Sequence, residues 1–186
     1  KDKMILIGKM AKEATEDMRK LSSEDRSRIL MNISEFIKVN HLKILEANQK
    51  DIEYAKSKNL SIPLINRLIL DQKKVDALVN TVESIAQLQD PLGQVLDDWS
   101  QPNGLSFKKV TVPLGVIGII YESRPNVTVD AAALCLRSGN IPILRGGKEC
   151  IHSNIALYQC IQDALSDLGL NKNLVCFIDE VDREFV

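Results

Sequence analysis

Apolar and polar positions in the N-terminal half of the chain alternate with the period of an α-helix. Ile7, Met10, Ala14 and Met18 recur at spacings of three and four residues, which places them on one helical face. Three later stretches repeat this spacing: Ile29, Leu30, Ile33, Phe36 and Ile37; Leu42, Leu45, Ile52 and Ala55; and Val75, Leu78, Val79, Val82 and Ile85. The pattern predicts a helical N-terminal region over residues 1–93.

Short polar segments indicate where these helices begin and end. Ser22 and Asp25 resemble a capping box, with aspartate in the place of the usual glutamate. A break is predicted near Asn40. The segment Ser61-Ile62-Pro63 predicts another helix start, because proline is tolerated in a first helical turn.

The pattern changes to β-forming residues near Val95. Gln101-Pro102-Asn103-Gly104 is a strong turn signal between two short runs. The second run, 105–112, partly alternates and is rich in residues that favour strands. Residues 94–112 are therefore predicted to form a β-hairpin.

From Pro113 onward, short apolar runs alternate with helical segments. Strands are predicted at 115–121, 141–144 and 174–178, with helices at 127–138 and 152–168 between them. The continuous apolar run at 115–121 is typical of a strand covered on both faces. This alternation predicts an α/β fold, in which the helical region and the hairpin precede a Rossmann-like parallel βαβαβ sheet over 113–186.

Charge and composition exclude several classes of partner. The chain has 24 Lys and Arg against 25 Asp and Glu, whereas nucleic-acid binding usually requires a clear basic excess. The longest apolar stretch, 116–121, is far shorter than the roughly 20 residues that span a bilayer. The chain starts in an amphipathic pattern instead of a long apolar segment, so no secretory signal is expected. We expect a cytoplasmic protein without nucleic-acid or membrane partners.

The cysteines and histidines give no sign of a metal site or a catalytic triad. Cys135, Cys150, Cys160 and Cys176 match neither a zinc-binding spacing nor a disulfide framework. All four are expected to be reduced packing residues. His152 falls in the first turn of a predicted helix, where a structural role is expected.

Two loops follow the carboxyl ends of predicted strands, where parallel α/β sheets bind ligands. The first contains Glu122, Ser123, Arg124 and Asn126. The second, R-G-G-K-E at 145–149, has two glycines that let the backbone approach a ligand. It also has two flanking cations, and a helix whose N-terminal end would favour anions follows it. It therefore has the parts of a phosphate site. Spacing alone leaves an ordinary polar turn open, and Asn126 could cap the following helix.

Six segments carry a resemblance to a known family. They are V-P-L-G-V-I-G (112–118), Y-E-S-R-P-N (121–126), S-G-N (138–140), L-R-G-G-K-E (144–149), E-A-N-Q-K-D (46–51) and D-R-E (182–184). Together they closely resemble the gamma-glutamyl phosphate reductases, which are glutamate-5-semialdehyde dehydrogenases of the aldehyde dehydrogenase superfamily. The resemblance implies NADPH-dependent reduction of L-glutamyl 5-phosphate to L-glutamate 5-semialdehyde, with release of phosphate, in L-proline biosynthesis. The reaction would pass through a cysteine thioester.

The resemblance also implies a cofactor loop at Arg145, Gly146, Gly147 and Lys148. Superfamily members place a lysine that contacts the adenosine ribose where Arg145 stands. In NAD-preferring relatives, a glutamate three residues later holds the ribose hydroxyls. Here that position is Lys148, which would attract a 2′-phosphate, so NADPH is the expected cofactor.

Residues of the first loop receive their roles from the same resemblance. Asn126 is a candidate oxyanion donor, although an ungapped count from Asn140 puts Glu122 nearer the relatives' asparagine. Glu122, Ser123 and Arg124 are candidate contacts to the substrate, with Arg124 suited to its carboxylate or phosphate.

The family's nucleophilic cysteine is expected beyond Val186, so this chain alone is expected to be inactive. Its sheet is expected to be short of strands and to expose an edge or an apolar face. The resemblance also implies an oligomerisation element, here 94–112, and a homo-oligomer in the full-length protein. Three alternatives stay open: a non-catalytic NADPH-binding or regulatory module, a dehydrogenase for another acyl phosphate, and a parent fused to a glutamate kinase.

Overall fold

The computed structural model describes residues 2–180, which form seven α-helices and five β-strands. The helices are α1 (Asp2–Arg19), α2 (Ser23–Val39), α3 (His41–Ser57), α4 (Ile62–Leu68), α5 (Gln72–Ala86), α6 (Val127–Arg137) and α7 (Ile151–Asp167). The strands are β1 (Val95–Ser100), β2 (Ser106–Val110), β3 (Val116–Ile120), β4 (Ile141–Arg145) and β5 (Cys176–Phe177). Two short 3₁₀-helices span Lys148–Cys150 and Lys172–Leu174. The D-R-E segment at 182–184 lies outside the described residues.

The predicted helix boundaries agree with the structure. The hydroxyl of Ser22 accepts from the Asp25 amide at 3.1 Å, and the Asp25 carboxylate accepts from the Ser22 amide at 3.0 Å. This reciprocal pair confirms the capping box at the start of α2. Helix α2 ends before Asn40, and α4 has Pro63 in its first turn, as predicted. Within the described range, no helix is both long and apolar enough to cross a membrane.

The N-terminal helices and the parallel sheet share one hydrophobic core. Helix α2 packs against α5 and α7, and α1 packs against β4. The apolar faces predicted for α2 and α5 are buried there, with Leu30 and Val82 fully enclosed. The stripe predicted for α3 was wrong at Leu42, which is 63% exposed. Helix α3 buries Ala55, as predicted, together with Ile44, Asn48 and Asp51, which the predicted stripe did not include.

The three C-proximal strands form a parallel sheet in the order β3-β4-β5, which confirms the predicted βαβαβ topology. Strand β4 is central and largely buried, while β3 is paired on one side only among the described strands. Val116 and Ile120 share an exposed face of β3, and Ile120 is 61% exposed. The prediction that both faces of this strand are covered was wrong, whereas the expected exposed edge and apolar face are present.

The hairpin is a separate two-stranded antiparallel sheet of β1 and β2, as predicted. Trp99 lies opposite Phe107 in its register, and their rings stack with centroids 5.4 Å apart. Strand β5 is shorter than predicted, because Lys172–Leu174 forms a 3₁₀-helix before the chain enters the sheet.

Candidate cofactor and substrate site

The structure places the two predicted loops side by side at the carboxyl end of the sheet. Because β3 and β4 are parallel, the chain leaves both strands at the same edge, where the Tyr121 amide donates to the Arg145 carbonyl at 3.0 Å. Beyond this bond, the Ser123 hydroxyl donates to the Glu149 carboxylate at 2.5 Å. Ser123 is only 5% exposed. The two loops therefore form one continuous surface.

Neighbouring side chains pack closely against both glycines of the second loop. A Cβ atom added to Gly146 would collide with the side-chain amide of Asn154 and lie 3.0 Å from the Tyr121 ring. A Cβ atom added to Gly147 would collide with the Glu149 carboxylate. The tight backbone of this loop thus follows from its own contacts, and it leaves the side chain of Lys148 exposed.

The N-terminus of α7 is occupied by a carboxylate from α3. The Asp51 carboxylate accepts from the His152 amide at 3.1 Å, the Ser153 amide at 2.8 Å and the Ser153 hydroxyl at 2.5 Å. Burial raises the pKa of Asp51, and the bonds from Ser153 and His152 oppose that rise. The prediction that this helix end faces a ligand anion was wrong, because the chain's own carboxylate satisfies these donors.

Asn48 connects α3 to two other parts of the site, and sequence reasoning missed its role. Its amide nitrogen donates to the Leu68 carbonyl at 2.7 Å and to the Ser153 hydroxyl at 3.0 Å. Its amide oxygen accepts from the Leu70 amide at 2.8 Å. Asn48 and Asp51 occupy buried positions of an amphipathic helix, and polar residues on such a face are the signal that could have identified them.

A buried polar network lies beneath the loops. The Tyr121 hydroxyl is 2.6 Å from the Thr128 hydroxyl, which donates to the Asn154 side-chain oxygen at 3.1 Å. The Asn154 nitrogen donates to the Cys150 sulfur at 3.3 Å. Burial raises the pKa of the Tyr121 phenol far above its usual value. These hydrogen bonds connect the start of the first loop to α6 and α7.

A pocket of about 380 Å³ lies between α4, α5 and the first loop. Its lining comprises Asn66, Arg67, Ile69, Leu70, Lys74, Ala77, Leu78, Thr81, Arg124, Asn126 and Asp130. Two of the predicted site residues, Arg124 and Asn126, thus face this pocket, while Glu122 and Ser123 lie outside its lining. The pocket mixes three cations, two amides and one carboxylate.

Asn126 does not cap α6 through its side chain, contrary to the alternative raised by its position. Its backbone is helical, with φ −56° and ψ −29°, whereas an N-cap residue is normally extended. The Asn126 amide nitrogen donates instead to the Asp130 carboxylate at 2.8 Å.

All four cysteines are buried, which confirms their prediction as packing residues. Burial raises the pKa of Cys135 and Cys176 to about 11, and that of Cys150 and Cys160 to about 12. A thiol nucleophile reacts as its thiolate, so these surroundings suppress reactivity. Within residues 2–180, no group of three or more His, Cys, Asp or Glu side chains could hold a metal ion.

Comparison with known proteins identifies the family of the chain. The sequence profile of the aldehyde dehydrogenase family matches residues 2–186. A gamma-glutamyl phosphate reductase of Petrotoga mobilis is 49% identical over 179 residues, which cover 95% of this chain and 43% of that protein. A gamma-glutamyl phosphate reductase of Nitratiruptor is 48% identical over 178 residues, which cover 96% of this chain and 43% of that protein. The chain thus spans less than half the length of these relatives.

Solved structures show the same fold. The crystal structure of gamma-glutamyl phosphate reductase from Thermotoga maritima matches with a TM-score of 0.93 at 37% identity, covering 97% of this chain and 44% of that one. An engineered glycolyl-CoA reductase with bound NADP+ matches with a TM-score of 0.63 at 18% identity, covering 97% of this chain and 38% of that one. The chain belongs to the aldehyde dehydrogenase family.

Proposed function

We propose that the chain is the NADPH-binding part of a gamma-glutamyl phosphate reductase. The observation that supports this most is the pairing of the two loops at the carboxyl ends of β3 and β4. In that arrangement Arg145 and Lys148 flank two closely packed glycines beside the loop that contains Arg124. Relatives named for this activity contain segments similar to nearly the whole chain.

The residues of the second loop fit the adenosine end of NADPH. Arg145 would contact the ribose, and the exposed ammonium of Lys148 would bind the 2′-phosphate, because a cation attracts that group where a carboxylate would repel it. Gly146 and Gly147 would let the nucleotide approach the backbone. NADPH, when bound, supplies the hydride for the reduction.

The reaction proposed for the full-length protein is reduction of L-glutamyl 5-phosphate to L-glutamate 5-semialdehyde, with release of phosphate, in L-proline biosynthesis. In this chain, Arg124 and Asn126 line the pocket between α4, α5 and the first loop. Arg124 would hold an anionic group of the substrate, and the Asn126 amide would donate to the developing oxyanion. These residues bind and orient; the four buried cysteines are unsuited to nucleophilic attack.

Because the four cysteines are buried, a second function is favoured for the chain taken alone, which is binding NADPH without catalysis.

One experiment tests both functions. The purified chain is given L-glutamate 5-semialdehyde, phosphate and NADP+, and nucleotide binding and NADPH formation are followed in one sample. We expect binding without turnover. Turnover would show that one of the four cysteines is a nucleophile, and absence of nucleotide binding would contradict the proposed function.

A further inference from the structure

Three cationic side chains converge on the pocket between α4, α5 and the first loop. Arg67 comes from α4, Lys74 from α5 and Arg124 from the loop that follows β3. Three separate elements supply them, whereas the cations of an ordinary solvated helix face lie on one helix. The fold therefore brings like charges together around one concavity, and a cleft lined by one sign of charge attracts ligands of the opposite sign.

The carboxylate of the pocket lining does not neutralise these cations. Asp130 accepts from the Asn126 amide through its Oδ2 atom at 2.8 Å, and its Oδ1 atom is buried away from the pocket opening. In the part of the chain that the structure describes, Asp130 forms no ion pair with any of the three cations. The accessible charge of the pocket is therefore positive.

The two arginines of the lining differ in their partners from a typical surface arginine of this chain. Arg19 on α1 is also exposed, and its guanidinium donates to the Glu16 carboxylate at 2.6 Å. Within residues 2–180, the guanidinium groups of Arg67 and Arg124 form neither an ion pair nor a hydrogen bond. Their N–H donors are therefore free to bind a ligand.

We propose that this pocket binds an oxyanionic group of the substrate, and that Arg67 binds this group together with Arg124. Guanidinium groups bind carboxylate and phosphate oxygens through paired N–H donors. The Lys74 ammonium donates to the Ile69 carbonyl at 2.6 Å, which fixes a third positive charge at the pocket wall. The volume of about 380 Å³ falls in the range of small-molecule sites.

This inference rests on the proposed function, because L-glutamyl 5-phosphate carries two oxyanionic groups, the α-carboxylate and the phosphate. It adds Arg67, a residue of the helical N-terminal region, to the residues that bind the substrate.

The test is an NMR titration of the chain with glutarate and with inorganic phosphate, at constant ionic strength. Either anion, on entering the pocket, should shift the backbone amide signals of Ala77 and Thr81, which line it. The anion that binds more tightly identifies the group that the pocket receives, since glutarate offers only carboxylates.

Arg67→Gln removes one positive charge and, because this guanidinium has no partner among the described residues, leaves no other group unsatisfied. Arg19→Gln is the matched control, since it removes an exposed helical arginine that does not line the pocket. We expect Arg67→Gln to weaken binding of the preferred anion about fivefold or more, and Arg19→Gln to change it less than about twofold.

Absence of these shifts with both anions, or equal weakening by the two substitutions, would overturn the inference. NADPH is titrated into the unaltered chain in parallel. Absence of NADPH binding would contradict the proposed function, whereas normal NADPH binding without anion-dependent shifts in the pocket would contradict only the role of Arg67 and its neighbours.

Discussion

The hydroxyl of Ser123 donates to the carboxylate of Glu149 over 2.5 Å, which joins the loops that follow β3 and β4. Ser123 belongs to the loop that reaches the pocket, and Glu149 follows the proposed nucleotide loop. Because the Glu149 carboxylate also packs against Gly147, we expect a change at Ser123 to alter the loop where NADPH is proposed to bind.

Ser123→Ala should weaken NADPH binding without unfolding the chain. The substitution removes a donor to a carboxylate and frees Glu149 to move. We expect an affinity loss of about five- to tenfold, which is about 1 to 1.4 kcal/mol and thus only part of the free energy of a hydrogen bond to a charged group. Isothermal titration calorimetry measures it. Ser57→Ala is the control, since Ser57 is exposed and bonds only within its own helix. Equal affinities for all three proteins would contradict a coupling between the loops.

Gly147→Ala should disturb the nucleotide loop more than an equivalent change in the neighbouring strand. The added methyl group would collide with the Glu149 carboxylate, whereas a Cβ atom at Gly118 would meet nothing within 4 Å. We expect Gly147→Ala to reduce NADPH affinity about tenfold, because the Glu149 carboxylate must move away and its bond from Ser123 is lost. Gly118→Ala should bind as the unaltered chain does. Indistinguishable affinities would show that this backbone does not form the nucleotide site.

Asn48→Ala should be strongly destabilising. It leaves the Leu68 carbonyl and the Leu70 amide without their side-chain partner, and we expect a loss of about 3 kcal/mol in the free energy of unfolding. The adjacent Gln49→Ala removes an exposed bond to Glu53 and should change this free energy by about 0.5 kcal/mol or less. Urea denaturation followed by circular dichroism compares the two. A loss at Asn48 no larger than at Gln49 would contradict its bridging role.

The four cysteines should be unreactive in the folded chain. Burial raises the pKa of each thiol to about 11 or 12, so the thiolate fraction at pH 8 is small and the sulfur atoms are inaccessible. A chromogenic disulfide reagent should label fewer than one thiol per chain under native conditions and four in denaturant. Rapid labelling of a single native thiol would identify a reactive cysteine and contradict the assignment of all four as packing residues.

Helix periodicity and turn chemistry predicted much of the fold. The capping box of Ser22 and Asp25 and the turn at Pro102-Asn103-Gly104 are local signals, because the residues that form each feature lie within a few positions of one another. The parallel sheet followed from the alternation of strands and helices. Which faces of β3 are covered could not be predicted in this way. An apolar run such as 116–120 predicts a strand but does not specify which elements pack on its faces.

The contacts of the site were harder to predict, because they join distant parts of the chain. Asp51 bonds to Ser153, 102 residues away, and no local pattern specifies that pairing. The sequence predicted that the α7 N-terminus faces a ligand, because an open helix end favours anions. It did not show that α3 supplies the anion, which is the Asp51 carboxylate. Similarly, the position of Asn126 left a helix cap open as an alternative, whereas its side chain bonds to Asp130.

The most direct test of the account is a titration of NADPH and NADH into the unaltered chain, Lys148→Glu and the charge-matched control Lys12→Glu, which alters an exposed lysine of α1. We predict that the unaltered chain and the control prefer NADPH. Lys148→Glu should lose about tenfold or more of its NADPH affinity while retaining NADH binding, because the 2′-phosphate then meets a carboxylate instead of an ammonium. An undiminished preference for NADPH in Lys148→Glu would contradict the assignment of this loop.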